Sequence, residues 1–372
     1  MIKKRLPVFL SHDRTIYLIP LFLCLFGLIM IYDSSAVAAI SAFNNKYYFV
    51  ERQCLWFMVG LVFLYFFSKF DYKNLKKIAF PFLLINIFLL ILVLFPGMGK
   101  MIYGGRRWLQ LGIIGFQPAE LAKISLIIYF STLFEKRREF MPFLFLNALL
   151  LFLLLMEPDM GTAFVLFCSV LTIFFVSGAP WKNMALIFGF GSVLIPILIF
   201  LFPYRKQRFL AYINSSFDIQ GASYHLRQIL ISFGSGGFFG RGFGQSRQKF
   251  LFLPEVTTDS IFAVIGEEFG FIGTTILVLI FVFFIYKGYK LAMRVEDEFG
   301  KMLAVGLVSM IALQTAVNMG AMVSLIPLTG VPLPFISYGG SSLVINLSAV
   351  GILYNISRSS YTTSSRLTSG LR

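Results

Sequence analysis

The dominant pattern in the sequence is a series of long apolar runs separated by short polar segments. Each run is close to the roughly 20 residues that an α-helix needs to cross a bilayer. Backbone polar groups in lipid must be paired within their own segment, so each run is predicted to be a helix. The pattern therefore predicts an all-α polytopic membrane protein with ten transmembrane helices, at 16–34, 53–68, 78–96, 117–134, 142–157, 160–178, 184–203, 259–286, 302–326 and 335–356.

Composition agrees with this prediction and excludes several function classes. Hydrophobic residues make up 58% of the chain and charged residues 13%, against about 25% charged residues in a soluble domain. The formal charge is +15, but Lys and Arg fall in short loops between apolar runs, which favours contact with membrane lipids and no nucleic-acid partner. The three cysteines have no metal-site or disulfide spacing and are predicted to be packing residues.

The distribution of Lys and Arg also predicts orientation. They are concentrated in the short segments on the side of the two termini, which places both termini in the cytoplasm. The first apolar run is longer than that of a cleaved signal peptide, so it is predicted to be retained. We expect residues 1–15 to be a cytoplasmic segment, 16–358 to be the membrane domain, and the Ser/Thr/Arg-rich 359–372 to be a disordered cytoplasmic tail.

Two outer segments break the charge pattern. One is 99–117, which contains Lys100, Arg106 and Arg107, and the other is the long extracellular loop 204–258 between helices seven and eight. A loop of this length is usually functional when it is ordered. It includes an amphipathic stretch, SYHLRQILISF, and a glycine-rich stretch, GSGGFFGRGFG, and we expect it to pack on the outer face of the helices.

Charged residues inside the fourth run are candidates for function. Glu120 and Lys123 are three residues apart and share one helix face. A charge within a membrane helix is costly and usually functional. Two interpretations remain open, a structural ion pair between helices or a polar cavity that reaches the outer leaflet.

Asp259 begins the eighth run, where Thr257 or Thr258 could cap the helix. The helix N-terminus lowers the pKa of a carboxyl there, whereas partial burial raises it. This combination suits a general base, although a simple helix-start acid has the same sequence. Glu267 and Glu268 follow two turns later and are expected to pair with other helices.

The basic residues of the outer segments also have two interpretations. Arg106, Arg107, Arg247 and Lys249 could be anchors for lipid head groups, or they could bind the phosphates of a lipid-linked pyrophosphate. Arginine is well suited to the second role because its planar guanidinium forms paired hydrogen bonds with phosphate.

Four motifs occur in order and give the chain a specific resemblance: GGRRWLQLGIIGFQPAELAK, EPDMGT, GSGGFFGRGFGQSRQKFLFLPEVTTDSIFAVIGEEFGFIG and PLTGVPLPFISYGGSS. Together they resemble the SEDS family of bacterial cell-wall proteins (FtsW, RodA and SpoVE). Within that family, GQSRQK and IGEE resemble the FtsW and SpoVE branches more than the RodA branch.

The resemblance implies a peptidoglycan glycosyltransferase that polymerises lipid II at the outer face of the bacterial cytoplasmic (inner) membrane, for septal wall synthesis in division. It implies that Asp259, in the TD pair after LPE, is the catalytic residue. Matching motif positions place Arg107, Trp108, Gln117, Glu120 and Lys123 around the substrate. Ser337 of the last motif is grouped with these substrate-binding residues, as are Arg106, Arg247 and Lys249.

The implied partners are lipid II, the undecaprenyl-pyrophosphate-linked glycan, a class B penicillin-binding protein and other division proteins. No cofactor is required by the resemblance, and a divalent cation such as Mg²⁺ stays open. Two rival functions also stay open: a lipid II flippase, and a scaffold without catalytic activity for the penicillin-binding protein. The sequence contains no convincing internal repeat of the kind that supports a transporter.

Overall fold

The structure, a computed structural model, describes residues 14–102, 105–111, 114–136, 139–213, 222–250 and 252–369. These residues form twelve α-helices and three short strands. They are α1 Thr15–Phe43, α2 Tyr48–Lys69, α3 Leu75–Leu94, β1 Gly99–Ile102, β2 Gly105–Leu111, β3 Ile114–Phe116, α4 Pro118–Lys136, α5 Phe140–Met156, α6 Met160–Val176, α7 Trp181–Leu201, α8 Pro203–Ile213, α9 Ala222–Gly236, α10 Ile261–Ala292, α11 Glu298–Met322 and α12 Gly340–Ser369.

Every apolar run of the sequence corresponds to one long helix. Within the described residues, seven helices are long and apolar enough to cross a membrane: α1, α2, α3, α7, α10, α11 and the first part of α12. The helices α5 and α6 are apolar but shorter. The prediction of a helical, multi-pass membrane protein is therefore confirmed, whereas the count of ten spans stays a prediction.

Burial separates the central helices from the peripheral ones. The apolar stretches of α11 and α12 are 78% and 83% buried, compared with 11% for α2 and 6% for α7. Helices α4, α6 and α10 pack around α11, while α12 packs against α2. The start of α10, which follows Asp259 directly, is therefore held against the most buried part of the fold.

The outer segment 99–117 departs from the all-α prediction. It forms a three-stranded antiparallel sheet in the order β1-β2-β3, with Gly99 opposite Leu109 and Leu109 opposite Phe116. The strands contain Ile102, Trp108, Ile114 and Phe116, and β-branched and aromatic residues favour strands. Antiparallel pairing allows this segment to satisfy its own backbone hydrogen bonds outside the helix bundle.

The long segment 204–258 contains two helices in its described part. The helix α9 coincides with the predicted amphipathic stretch and packs against α10 and α11. Residues 214–221 and 251 of this segment lie outside the described residues. The expectation that this segment packs on the helices is met, and its placement outside the cell stays a prediction.

Part of the C-terminal segment 359–372 continues the last helix, and the expectation of a disordered cytoplasmic tail stays a prediction. The helix α12 continues to Ser369, and residues 370–372 lie outside the described residues. The sequence after the apolar run contains neither proline nor glycine before Gly370, so nothing in it interrupts the i→i−4 hydrogen bonds of the helix.

Candidate active site

Asp259 lies in a tight turn immediately before α10. The carbonyl of Thr257 accepts from the Tyr338 amide at 2.8 Å, and that of Thr258 accepts from Ser337 Oγ at 2.6 Å. The backbone carbonyl of Asp259 accepts from Asn318 Nδ2 at 3.0 Å. Three consecutive carbonyls are thus held by α11 and by the segment before α12, which fixes the position of the aspartate.

The N-terminal cap of α10 differs from the prediction that Thr257 or Thr258 would cap this helix. The N-cap of α10 is Ser260, which has no side-chain cap hydrogen bond. Thr258 Oγ1 instead donates to Glu255 Oε2 at 2.9 Å within the preceding turn. Ser260 Oγ lies 2.7 Å from Nε2 of His225 on α9. Burial and the charge of Arg208 lower the pKa of His225 to about 4, so this histidine is a neutral contact in the wall of the site.

Four charged side chains act on the half-buried carboxyl of Asp259, namely Glu255 from its own turn and Arg107, Asp159 and Arg208 from three other segments. Removal from water raises its pKa to about 7, and the negative charge of Glu255 adds to the rise. Arg208 and Arg107 lower the pKa, whereas Asp159 raises it. A carboxyl with a pKa near neutral pH has a high affinity for the proton of a substrate hydroxyl, and about half of it is still the anion at pH 7.

Arg208 and Asp159 are absent from the residues that sequence reasoning selected. A Cβ placed on Gly330 would lie 3.3 Å from Asp259 Oδ2 and 3.9 Å from Arg208 Nη1, so both side chains face the same point. Asp159 belongs to the EPDMGT motif and caps α6 by accepting from the Thr162 amide. The motif was a signal for Asp159, but no local pattern linked Arg208 to the site.

Arg107 is placed beside this cluster by strand β2. Its Nε donates to the Glu157 carbonyl at 2.8 Å, and its Nη2 donates to the Pro158 carbonyl at 2.7 Å. The side chain therefore joins the outer sheet to the loop between α5 and α6. Burial raises the pKa of Glu157 to about 9, with a further rise from Asp159 and an opposing effect of Arg107, so this carboxyl is neutral near pH 7.

The neighbours of Arg107 in the sheet have more structural contacts. Arg106 Nη1 donates to the Leu94 carbonyl at 3.3 Å and so joins β2 to the end of α3. Trp108 is half-buried and lies next to Gly115, where a Cβ would be 3.6 Å from the indole ring. These two residues support the sheet that carries Arg107.

Gln117 connects the sheet to the acidic motif. Its Nε2 donates to Asp159 Oδ2 at 3.1 Å, and its backbone amide donates to Ser341 Oγ at 3.2 Å. This predicted site residue is therefore one contact away from the cluster around Asp259.

Glu120 and Lys123 form a closed ion pair rather than the lining of an open cavity. Lys123 Nζ lies 2.8 Å from Glu120 Oε2, and both side chains are buried. Lys123 also donates to Gln314 Oε1 at 3.0 Å, and Gln314 donates to the Pro332 carbonyl and to Ser342 Oγ. The network joins α4, α11 and α12, which supports the structural interpretation of this pair.

The basic residues after the glycine-rich stretch separate into two environments. Arg247 is exposed, and its backbone amide donates to Glu267 Oε1. Lys249 is buried, and its Nζ pairs with Asp33 at 2.7 Å and with Glu268 at 2.9 Å. The structure therefore gives Lys249 two ion pairs within the fold, and its assignment to substrate binding stays a prediction.

Glu267 and Glu268 pair with the segment that follows the glycine-rich stretch, whereas the sequence predicted pairs with other helices. Glu267 accepts from Ser246 Oγ at 2.6 Å and from the amides of Arg247 and Gln248. Glu268 accepts from the Ser246 amide as well as from Lys249. Both acids bind the segment after the glycines, which accounts for two of the carboxylates in this region. Ser337 likewise has a structural contact, since it donates to Thr258 and accepts from the Leu333 amide.

In the part of the chain that the structure describes, no group of three or more His, Cys, Asp or Glu side chains is arranged to hold a metal ion. The divalent cation that the sequence left open stays untested by this geometry.

Comparison with known proteins gives a consistent result. Residues 14–362 match the family described as Cell cycle protein, which covers FtsW, RodA and SpoVE. The chain is 38% identical over 358 residues to the probable peptidoglycan glycosyltransferase FtsW of Trichlorobacter lovleyi, with 93% of each chain covered. It is 39% identical over 356 residues to stage V sporulation protein E of Bacillus subtilis, with 94% of this chain and 97% of that protein covered.

Two solved structures share the fold. Rod shape determining protein RodA of Thermus thermophilus has a TM-score of 0.70 at 26% identity, covering 95% of this chain and 99% of that one. A chain from a structure described as "Structural coordination of polymerization and crosslinking by a peptidoglycan synthase complex" has a TM-score of 0.79 at 25% identity, covering 94% and 99%.

Proposed function

Because this chain belongs to the FtsW, RodA and SpoVE family of cell cycle proteins, we propose that it is a peptidoglycan glycosyltransferase that polymerises lipid II into glycan strands. Its relative in Trichlorobacter lovleyi is named for the peptidoglycan glycosyltransferase activity. The structural neighbour with the higher TM-score belongs to a peptidoglycan synthase complex. Both relationships extend over more than nine-tenths of this chain, so the whole fold is shared.

The observation that carries the proposal is the environment of Asp259. Its backbone is held by α11 and by the segment before α12, and the charges of Arg107, Arg208, Asp159 and Glu255 act on its carboxyl. The opposing charges leave its pKa near 7. A helix-start acid with no chemical role would need neither the burial nor this arrangement.

In the proposed step, Asp259 removes the proton from the 4-hydroxyl of the acceptor sugar. The oxygen attacks the anomeric carbon of the lipid-linked donor, forming the glycosidic bond. The bond from that carbon to the pyrophosphate oxygen breaks with inversion, and the lipid pyrophosphate leaves with the electron pair. The proton stays on Asp259 until solvent takes it.

Positive charge next to the base has a second role in this step. Arg107 and Arg208 are cations whose positive charge lowers the pKa of the Asp259 carboxyl. Fixed positive charge that faces a developing anion lowers the barrier because it requires no reorganisation during the reaction. We assign the leaving pyrophosphate to these two arginines, with the exposed Arg247 as a more distant contact. Arg106, Trp108 and Gln117 hold this wall in place.

The membrane arrangement belongs to the same proposal. Ten spanning helices would place both termini on the same side of the membrane, and the distribution of Lys and Arg favours the cytoplasm for them and the outer face for Asp259. The likeness to a chain of a synthase complex supports a class B penicillin-binding protein as partner. We further propose that other division proteins recruit the complex to the septum. The chain is about as similar to a sporulation protein as to an FtsW protein. Localisation to the division septum is therefore tested by imaging the protein in dividing cells.

The two rival functions lack a specific observation in their favour. A flippase needs a polar path, but Glu120 and Lys123 are closed on each other and on Gln314. A scaffold without activity needs no base near neutral pH beside two arginines.

The test is polymerisation of labelled lipid II by the purified chain together with its class B partner, in the presence of moenomycin to silence contaminating polymerases. Wild type, Asp259→Asn and the exposed control Glu296→Gln are compared after thermal unfolding has shown equal stability. Glycan strands from wild type and the control but not from Asp259→Asn support the proposal. Equal product from Asp259→Asn removes this residue from the chemistry, and no product from any variant favours the rival functions.

A further inference from the structure

The helix α10 is broken inside its length. Gly270 has φ +65° and ψ −163°, so the helix consists of an outer part that ends at Phe269 and a longer inner part that begins at Phe271. A break leaves carbonyls at the end of the first part and amides at the start of the second without helical partners. In a membrane protein such groups need partners from elsewhere in the fold.

The glycine-rich stretch supplies those partners. Two of its amides donate to carbonyls before the break, and two of its carbonyls accept from amides after it. The pairs are Arg241 N with Glu267 O at 3.0 Å, Gly242 N with Glu268 O at 3.0 Å, Phe271 N with Gly237 O at 2.9 Å, and Ile272 N with Phe238 O at 3.1 Å. The loop 236–244 is therefore an integral part of α10 rather than a loose connection.

Two apolar side chains of this loop, those of Phe238 and Phe239, point away from the protein. Phe239 is 83% exposed and Phe238 is 70% exposed, although each is a large apolar residue. Phe238 contacts Phe271 of α10 with ring centroids 5.8 Å apart, and Phe271 is itself exposed. The surface continues along α10 through Ile272 and Ile276, which are exposed on a helix apolar enough to span a membrane.

The depth of this surface follows from the length of α10. Lys287 is the first charged residue after the apolar part of the helix. About 20 residues cross the hydrocarbon core, so the opposite boundary lies close to Glu267. Phe271 is then about one turn inside that boundary at 1.5 Å per residue. Phe238 lies beside it, at a depth where apolar side chains such as Phe are buried at the boundary between head groups and acyl chains.

We propose that the loop 236–244 is an interfacial membrane anchor whose Phe238 and Phe239 insert among the lipid acyl chains of the leaflet nearest Asp259. Continuity with the lipid-facing surface of α10 identifies acyl chains as the occupant. The four backbone hydrogen bonds make this insertion possible, because the loop brings few unpaired polar groups into the apolar region.

The anchor acts on the site through α10. The outer part of the helix begins two residues after Asp259, and the loop is bonded to its other end. Insertion of the two rings fixes the height of this short helical segment relative to the bilayer. That height sets the distance between Asp259 and a reacting group carried on a membrane lipid. The anchoring depends only on α10 crossing the membrane, whereas this consequence rests on the proposed function.

The test is tryptophan fluorescence in proteoliposomes, with Phe239→Trp and, separately, Phe238→Trp. The lipids carry bromine at either shallow or deep acyl positions, and aqueous iodide is used as the competing quencher. Phe283→Trp, on the exposed inner part of α10, is the membrane-embedded control. The unsubstituted protein gives the background of its three native tryptophans.

The expected result is at least a twofold loss of the added fluorescence with shallow bromines, a smaller loss with deep bromines, and protection from iodide. The proposal is overturned if iodide quenches the added tryptophan in both variants and neither the shallow nor the deep bromines do. It is also overturned by protection from both quenchers, which would mean that protein covers the patch. None of these readings depends on glycan synthesis, so failure of the anchor and failure of the enzymatic proposal are distinguishable.

Discussion

Lys249 Nζ lies 2.9 Å from Glu268 Oε1 and 2.7 Å from Asp33 Oδ1, in a pocket where the lysine is only 5% exposed. The lysine thereby joins α1, α10 and the segment after the glycines. Its charge is already neutralised by two carboxylates. This arrangement argues that Lys249 stabilises the fold.

The prediction from this ion pair is a loss of stability. Lys249→Met leaves two buried carboxylates without their counter-charge, which costs about 3–5 kcal/mol when one partner of a buried pair is removed. Thermal and denaturant unfolding of the protein in detergent measures this change. The matched control is Lys301→Met, because Lys301 forms an exposed pair with Glu298 at 3.9 Å that contributes less than about 1 kcal/mol. Unchanged stability together with a raised KM for lipid II would instead support substrate binding by Lys249.

The case of Lys249 shows why part of the site could not be predicted. Its partner Asp33 is 216 residues away in the sequence, and neither residue has a local pattern that indicates the other. The same applies to Arg208, which reaches Asp259 from α8. Asp259 itself was accessible from the sequence, because its position after LPE and before an apolar run is local information.

The fold was predictable where the membrane imposes a simple rule. Apolar runs of spanning length have few alternatives to helices, so each run corresponds to a helix in the structure. The sheet in 99–117 was missed because its strands are only three to seven residues long. The break at Gly270 was also missed, since a single glycine in an apolar run has no distinctive pattern.

A pH dependence follows from the environment of Asp259. The reaction needs the carboxylate, and its pKa is about 7. Activity should therefore increase as the pH rises through 7 and fall to about a tenth of its maximum one pH unit below it. Initial rates of strand synthesis between pH 5.5 and 9 measure this acidic limb.

A substitution of Glu255 tests the cause of that pKa. Glu255 raises the pKa of Asp259 through its negative charge, so Glu255→Gln should move the acidic limb to lower pH. Glu296→Gln, which removes an exposed carboxylate near the other end of α10, should leave the limb in place. An acidic limb that does not move in Glu255→Gln would assign it to a different group.

Because Glu120 and Lys123 neutralise each other, we expect a double substitution of this pair to be less destabilising than a single one. Lys123→Met alone leaves a buried carboxylate and should destabilise the protein by about 3–5 kcal/mol. Glu120→Gln combined with Lys123→Met removes both charges, and most of that stability should return together with polymerase activity. Unfolding and strand synthesis are measured on the single and double variants. A double variant that is stable but inactive would favour the polar-cavity interpretation of this pair.

The last prediction concerns Gly240, which lies in the loop that is hydrogen-bonded to both parts of the broken helix α10. Gly240 has φ +80°, and a Cβ there would overlap the carbonyl oxygen of Glu268. Gly240→Ala should cost about 1–2 kcal/mol for the backbone conformation alone, with a further loss from the displaced loop. Gly234→Ala is the matched control, because a Cβ at this position in α9 meets no heavy atom within 4 Å and alanine favours a helix.

Unfolding experiments, together with hydrogen exchange of the Arg241 and Gly242 amides, measure the two effects. Faster exchange and lower stability in Gly240→Ala, but not in Gly234→Ala, are expected if the loop holds the outer part of α10. Equal behaviour of the two variants would mean that the loop can move away from α10 without affecting the fold.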